Sequence, residues 1–254
     1  MLEKNTNPSL SQDATSLQGK AVVISGGSTG MGRATAVLLA SQGARVLIFA
    51  VAQPEIDDAL ADIRKAGGEA FGVVADQSRE EDIERVFQEA DKLLGGVDIL
   101  VNNAAVNAFS ILQGDYTDWQ YVVNTNLLGY MACAHEAIER MKKRGGGRIV
   151  NIGSISANMR EANRELYVAT KAAVQGFSES LRRTVAPHGI GVSLIEPGVV
   201  GTNMIGSDTK EQEKQEEARK ILKAEDIAQC VLYCLTRPPR CNIVSVEIQP
   251  HFGL

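Results

Sequence analysis

Short apolar runs rich in β-branched residues alternate with longer amphipathic segments along most of the chain. Each run is nearly continuous in apolar residues, which is typical of strands buried on both faces of a parallel sheet. The segments between the runs are long enough to form the helical crossovers that join parallel strands. The predicted strands are Ala21–Ser25, Arg45–Ala50, Ala70–Val74, Ile99–Asn102, Arg148–Ile152, Gly191–Ile195 and Ile243–Ile248.

The alternation predicts an α/β fold, a doubly wound Rossmann-type domain with a seven-stranded parallel sheet and helices on both faces. We assign this single domain to residues 19–254 and a polar N-terminal tail to residues 1–18. Residues 198–223 interrupt the alternation with a charged run, and we expect an insertion with a solvated helix face that serves as a substrate lid. The predicted helices are Arg33–Ser41, Ile56–Ala66, Arg79–Leu94, Asp118–Lys143, Glu165–Ala186 and Glu225–Leu235.

Composition limits the compartment and the partners. The 254 residues include 31 acidic and 26 basic ones, a net charge of -5, which gives no broad basic face for nucleic acid. No apolar run approaches the length of a membrane span, and the N-terminal tail lacks the features of a signal peptide. The four cysteines have no Cys-x-x-Cys spacing and are predicted to be reduced thiols. We expect a cytoplasmic protein that binds neither nucleic acid nor membranes and holds no metal.

The first predicted strand leads directly into a glycine-rich turn with the spacing G-x-x-x-G-x-G, formed by Gly26, Gly30 and Gly32. Glycine permits tight backbone angles, and the free N–H groups and dipole at the start of the following helix attract a pyrophosphate. The same stretch matches the G-x-S-x-G motif of serine hydrolases, with Ser28 as nucleophile and His251 as a late base. That nucleophile normally follows several strands, whereas only one precedes Ser28, so the dinucleotide site is favoured.

A second constellation is the pair Tyr167 and Lys171 in a predicted helix. Four residues turn a helix by about 400° and rise about 6 Å, which places both side chains on one face. At a separation of about 5 Å and an effective dielectric constant near 20, the phenolate gains roughly 3 kcal/mol, and the pKa of Tyr167 falls by roughly two units. Ser154 follows the strand Arg148–Ile152 and reaches Tyr167 only if the fold brings the strand end to the helix.

Further polar residues flank these groups. Two asparagines end the fourth predicted strand, and Asn126 lies in a helix that its buried amide would bend or hydrate. Together with the glycine turn, Ser154 and the Tyr-x-x-x-Lys pair, they make the chain resemble the short-chain dehydrogenase/reductase family from Gly19 to about Pro250. The family pattern has glycine where Ala105 stands, a change that narrows the room beside the cofactor and removes no reactive group.

The resemblance implies an NAD(P)(H)-dependent oxidoreductase that moves a hydride between the cofactor and a secondary alcohol, ketone or aldehyde. It implies that Tyr167 exchanges a proton with the substrate oxygen and that Lys171 holds the nicotinamide ribose and lowers the pKa of the tyrosine. Ser154 would orient the carbonyl, and Asn126 would position a relay water. The residues that the resemblance assigns to the cofactor are Gly26, Ser28, Thr29, Gly30, Met31, Gly32, Asp76, Asn103, Ala104, Tyr167, Lys171, Pro197, Gly198, Val200 and Thr202.

The alternative function is a dinucleotide-binding sensor or scaffold without turnover. Loss of Ser154, Tyr167 or Lys171 would favour it, and all three are present. Ala50 and Val51 offer neither the carboxylate usual in NAD-selective relatives nor the arginine usual in NADP-selective ones, so we expect weak discrimination between the two cofactors. The resemblance also implies a homodimer or homotetramer built on the long helices.

The substrate is a small alcohol or carbonyl compound whose identity the sequence does not specify. Arg160 and Arg164 lie just before Tyr167, where they could hold a carboxylate. Glu161 and Glu165 interleave with them, so a solvated surface is expected there instead.

Overall fold

A computed structural model of the chain describes residues 15–108, 110–201 and 209–252. The strands in these ranges are β1 Ala21–Ser25, β2 Arg45–Ala50, β3 Glu69–Val74, β4 Ile99–Asn102, β5 Gly147–Ile152, β6 Ile190–Pro197 and β7 Ser245–Ile248. They form one sheet in the order β3-β2-β1-β4-β5-β6-β7, and every neighbouring pair is parallel. The predicted seven-stranded, doubly wound parallel sheet is confirmed.

The edge strands differ from the expectation that every strand is buried on both faces. The central strands β1 and β4 are buried at every residue, whereas β3 and β7 include several exposed residues. β7 also begins at Ser245, two residues later than predicted. An edge strand has a neighbour on one side only, so its apolar composition does not by itself guarantee burial.

The helices follow the predicted alternation, with shifted ends. The predicted helix over residues 118–143 is three consecutive segments, because a π-helical turn at Asn124–Leu128 separates α4 from α5. In the part of the charged insertion that the structure describes, residues Thr209–Glu217 form the helix α8. The helices are α1 Gly30–Ser41, α2 Gln53–Lys65, α3 Glu80–Leu94, α4 Tyr116–Val123, α5 Gly129–Lys143, α6 Ser156–Met159, α7 Glu165–Val185, α8 Thr209–Glu217 and α9 Ala224–Leu235.

Two apolar layers hold the helices on the sheet. Residues of α1, α2 and α9 form the core on one face, and residues of α3, α5 and α7 form the core on the other. In α3 the buried residues recur at the three- and four-residue spacing of an amphipathic helix, and Gly95, at a φ of 78°, ends it in the left-handed region. Both faces of the central strands are therefore covered, which leaves the carboxyl ends of the strands as the place for a site.

The described end of the predicted tail packs onto the sheet domain. Leu17 is buried in the core, and the N–H of Thr15 donates to the carbonyl oxygen of Thr236 at 3.1 Å. All four cysteines are free thiols, as predicted. Among the described residues, no helix has both the length and the apolar character that crossing a bilayer requires.

Candidate active site

The turn after β1 and the first turn of α1 each have one position that only glycine fits. Gly26 has a φ of 61°, and a Cβ there would lie 2.8 Å from the Cα of Ala104. A Cβ at Gly32 would collide with the carbonyl oxygen of Gly26. α1 begins at Gly30, three residues before the predicted start, and no side chain caps its first turn at Thr29. Its first N–H groups therefore remain available to an anion, which fits the pyrophosphate of a dinucleotide.

Ser25 and Asn103 hold this turn against the end of β4. The Ser25 Oγ accepts hydrogen bonds from the N–H groups of Asn103 and Ala104 at 2.9 and 3.0 Å. The Asn103 amide donates to the carbonyl oxygens of Ser25 and Gly26, each at 3.1 Å. The sequence analysis missed Ser25, although its place at the end of the first strand, directly before the glycine turn, was an available signal.

A cavity of about 230 Å³ lies along the turn. Gly32 shapes the turn but does not line this cavity, and Tyr167 and Lys171 also lie outside the lining. The cavity therefore lies beside the glycine turn and apart from the Tyr167 and Lys171 pair. The predicted cofactor residues that line it are Gly26, Ser28, Thr29, Gly30, Met31, Asp76, Asn103 and Ala104.

Glu55 is a charged residue of this cavity that the sequence analysis missed. It lies in the first turn of α2 and lines the cavity together with Ala50 and Val51, the positions where cofactor selectivity was expected to be decided. Its Oε2 accepts a hydrogen bond from the Ser28 Oγ at 3.3 Å. Glu55 lies beyond the end of β2, in the first turn of α2, yet the fold places it beside the end of that strand.

Ser154 and Tyr167 meet at the carboxyl edge of the sheet. Ser154 follows the end of β5, and Tyr167 lies in the first turn of α7. Their exposed fractions are 8% and 7%, and the Ser154 side chain lies close enough to oppose the rise in the pKa of Tyr167 that burial causes. The Ser154 Oγ also accepts from the N–H of Ser156 at 3.2 Å. The fold thus brings together a hydroxyl and a phenol that no single element could place side by side.

Lys171 lies one helical turn after Tyr167 on the same face of α7. Its Nζ is 5.8 Å from the centroid of the Tyr167 ring and 5.3 Å from that of Tyr130. The Nζ donates to the carbonyl oxygen of Ile152 at 2.9 Å. The side chain is 1% exposed, and burial lowers the pKa of Lys171 to about 7.

The pKa of Tyr167 corrects one expectation of the sequence analysis. Lys171 was expected to lower it, but burial raises it, and the opposing effects of the Ser154 side chain and the charge of Arg164 are smaller. Burial disfavours both the Tyr167 phenolate and the Lys171 ammonium. The charge on Lys171 that would stabilise the phenolate is therefore itself reduced.

Asn126 lies in the π-helical turn and is fully buried. Its amide donates to the carbonyl oxygen of Val106 at 2.9 Å, and its Oδ1 accepts from the N–H of Val106 at 2.8 Å. The bend expected around this buried amide takes the form of the π-helical turn. The side chain fixes the loop after β4, and its role in positioning a water stays a prediction.

The remaining predicted cofactor residues follow β6. The carbonyl oxygen of Pro197 accepts from the N–H of Ile155, and the N–H of Gly198 donates to the carbonyl oxygen of Ile248. The Val200 side chain is buried in the core, so only its backbone can meet a ligand. Thr202 lies outside the described residues.

We expect Lys171→Met to raise the free energy of unfolding of the cofactor-free protein by roughly 1–3 kcal/mol at about pH 6. The pKa of Lys171 falls from 10.5 to about 7 on folding. The cost of burying it is therefore full below about pH 7 and disappears as the pH rises toward 10.5. In the variant, the carbonyl oxygen of Ile152 loses the hydrogen bond from Lys171 but still accepts one from the Tyr130 hydroxyl.

Urea unfolding at about pH 6 and about pH 10 tests this expectation, and the gain should be smaller at the higher pH. Lys92→Met is the matched control, because Lys92 is an exposed lysine paired with Glu89. A Lys171→Met protein that is less stable than the wild type at about pH 6 would contradict this expectation.

The site combines a turn shaped for a pyrophosphate with a buried hydroxyl, phenol and amine at the adjacent strand ends. Such an arrangement can orient a carbonyl or alcohol and exchange a proton with its oxygen. Within the described ranges, no group of three or more His, Cys, Asp or Glu side chains is placed to hold a metal ion. Fold and site together define a dinucleotide-binding enzyme of the Rossmann class.

Comparison with known proteins identifies the family. The family model described as short chain dehydrogenase matches residues 20–213. A 3-oxoacyl-(acyl-carrier-protein) reductase from Vibrio cholerae is 32% identical over 243 residues, covering 94% of this chain and 98% of that protein. An uncharacterized oxidoreductase from Staphylococcus saprophyticus is 31% identical over 238 residues, covering 92% and 98%. The chain belongs to the short-chain dehydrogenase family.

Solved structures agree with this assignment. A short chain dehydrogenase from Burkholderia cenocepacia, in complex with NADP, superposes with a TM-score of 0.83 at 30% identity. The match covers 94% of this chain and 99% of that one. The protein is therefore an NAD(P)-dependent oxidoreductase of this family, as the resemblance in its sequence implied.

Proposed function

We propose that the protein interconverts a secondary alcohol and a ketone or aldehyde through a Ser154, Tyr167, Lys171 and Asn126 site. The observation that carries the proposal is the buried pair Ser154 and Tyr167, which meet at the carboxyl end of β5 with Lys171 one turn away. These are the groups needed to orient an oxygen and exchange its proton.

The proposed steps concern the protons and the orientation of the substrate. In reduction, the Ser154 hydroxyl orients the carbonyl and the Tyr167 phenol donates a proton to its oxygen; in oxidation, the same phenol oxygen takes the proton back. The nicotinamide supplies or accepts the hydride when it is bound. Lys171 would hold the nicotinamide ribose through its ammonium. The Gly26 turn would hold the pyrophosphate, and Asp76 would meet the adenosine half.

A substrate screen with Tyr167→Phe as the blank tests this function. The screen pairs NADH and NADPH with ketones and aldehydes, and the oxidised cofactors with secondary alcohols. A 3-oxoacyl thioester belongs in it, because the relative from Vibrio cholerae is named a reductase of that group. Absorbance of the reduced nicotinamide reports turnover. Tight cofactor binding without turnover of any compound would favour the alternative, a dinucleotide-binding sensor or scaffold.

We expect the protein to be a homodimer or homotetramer, with the α4 and α5 face as one interface. Tyr121, Leu128 and Met131 leave apolar surface exposed there, with exposed fractions of 41%, 55% and 36%. Light scattering should give a mass at least twice the 27.2 kDa of the chain. Leu128→Asp should lower it, whereas Val74→Asp at the edge strand β3 should not. A particle of one-chain mass at micromolar concentration would contradict this expectation.

A further inference from the structure

The guanidinium of Arg164 lies over the ring of Tyr167. Its Cζ is 4.6 Å from the ring centroid, within the range at which an aromatic face attracts a cation. The Arg164 Nη2 also donates to the Asn107 Oδ1 at 3.2 Å, a second contact that holds the guanidinium in place. The side chain is 37% exposed. Arg164 therefore lies at the surface and at the same time contacts the phenol ring.

Other charged and titratable groups also face Tyr167. Lys171 approaches from α7 itself, Tyr130 from α5, and Glu161 from the loop that precedes α7. The Glu161 Oε1 lies 4.0 Å from the Arg164 Nη1 and accepts from the Ser156 Oγ at 3.1 Å. Its second oxygen, Oε2, is buried without a hydrogen-bond partner among the described residues. Arg164 and Glu161 thus form a loosely paired set of opposite charges beside the phenol.

The two cations beside Tyr167 keep their charge to different degrees. Burial lowers the pKa of Lys171 to about 7, so its charge is partial near neutral pH. A guanidinium remains protonated throughout the working range of a protein. Burial raises the pKa of Tyr167, the charge of Arg164 lowers it, and Glu161 raises it.

We infer that Arg164 is a positioning residue for the reaction, a fixed positive charge held against Tyr167 that favours the phenolate and is opposed by Glu161. The consequence for turnover rests on the proposed function. The electrostatic coupling itself does not, because the ionisation of Tyr167 can be measured without a substrate.

Fluorine NMR of the full chain labelled with 3-fluorotyrosine measures that coupling. The chain has five tyrosines, and the signal of residue 167 is the one missing from the spectrum of Tyr167→Phe. Ring fluorination makes each phenol more acidic, which brings its titration to a lower pH, and circular dichroism checks folding at each point. Arg164→Gln should raise the titration midpoint of residue 167 by roughly 0.5 to 1 pH unit.

Three further variants separate charge from structure. Arg164→Lys keeps the charge and should return the midpoint to near the wild-type value. Glu161→Gln removes the opposing charge and should lower the midpoint. Arg160→Gln removes a neighbouring arginine and should leave the midpoint unchanged.

An unchanged midpoint in Arg164→Gln, or a shift that the lysine variant does not reverse, would overturn the inference. If Arg164→Gln does not fold, Arg164→Met replaces it, and failure of both to fold assigns the residue a structural role and also overturns the inference. The pH profile of kcat/KM should move in the same direction as the midpoint. Absence of turnover in every variant and in the wild type would reject the proposed function while leaving the NMR result intact.

Discussion

Replacing Tyr167 by phenylalanine is expected to lower kcat by roughly 10²–10⁴-fold while cofactor affinity is kept, because it removes a positioned proton donor. Neither neighbouring group is expected to replace this donor. The Ser154 hydroxyl is a far weaker acid than a phenol, and the Lys171 Nζ donates to the carbonyl oxygen of Ile152. The change deletes one oxygen from a side chain that lies outside the lining of the glycine-turn cavity. Binding of the dinucleotide should therefore survive.

Tyr130→Phe is the matched control for this experiment. Tyr130 is also buried beside Lys171, and its hydroxyl donates to the carbonyl oxygen of Ile152 at 3.2 Å. Its loss should cost about 1 kcal/mol of stability and leave kcat near the wild-type value. Steady-state kinetics and calorimetric titration of the cofactor give both quantities. A Tyr167→Phe enzyme that keeps more than about a tenth of the wild-type rate with unchanged cofactor affinity would show that Tyr167 is not the proton donor.

The wild-type kcat/KM values with NAD(H) and NADP(H) are expected to lie within about a hundredfold, roughly 3 kcal/mol. Position 51 is a valine, so no arginine there binds a 2′-phosphate. Glu55, a carboxylate that lines the same cavity, is exposed, and solvent therefore screens its charge. Ala50→Asp puts a second carboxylate at the end of β2, and it should weaken NADP binding by more than about tenfold while sparing NAD.

Glu55→Gln should act in the opposite direction and strengthen NADP binding by roughly three- to tenfold, because it removes negative charge beside Ser28. Asp57→Asn is the matched control, since it removes one charge from α2 at a residue outside the cavity lining. Calorimetric titration with both oxidised cofactors compares the variants without turnover. Equal effects of the two substitutions would show that net charge, and not the place of Glu55, decides. A wild-type preference beyond about a thousandfold would mean that another residue reads the 2′ position.

Much of the fold could be predicted from local sequence because the signals are themselves local. The bounds of β1, β2 and β4 agree with the predicted strands, since continuous apolar runs are what a strand buried on both faces requires. The glycine turn was equally readable, because the left-handed φ of 61° at Gly26 and the collision of a Cβ at Gly32 with the Gly26 carbonyl oxygen both arise within the turn.

The pairing of Ser154 with Tyr167 was implied by family resemblance and could not be worked out from spacing. Residues on a strand end and on a later helix meet only after β5 and α7 have packed together. The same holds for the contact of Glu55 with Ser28, because it joins the first turn of α2 to the turn that follows β1.

The sequence by itself determined the alternation of strands and helices and the glycine turn, because each depends on neighbouring residues. The tertiary structure alone decided which strands are exposed edges, that Asn126 lies in a π-helical turn, and that Arg164 lies over Tyr167. It also reversed the expected direction of the Tyr167 pKa. The exposure of a strand depends on which elements pack against it. A pKa depends on desolvation and on charges that are distant in sequence, and both act only once the chain has packed.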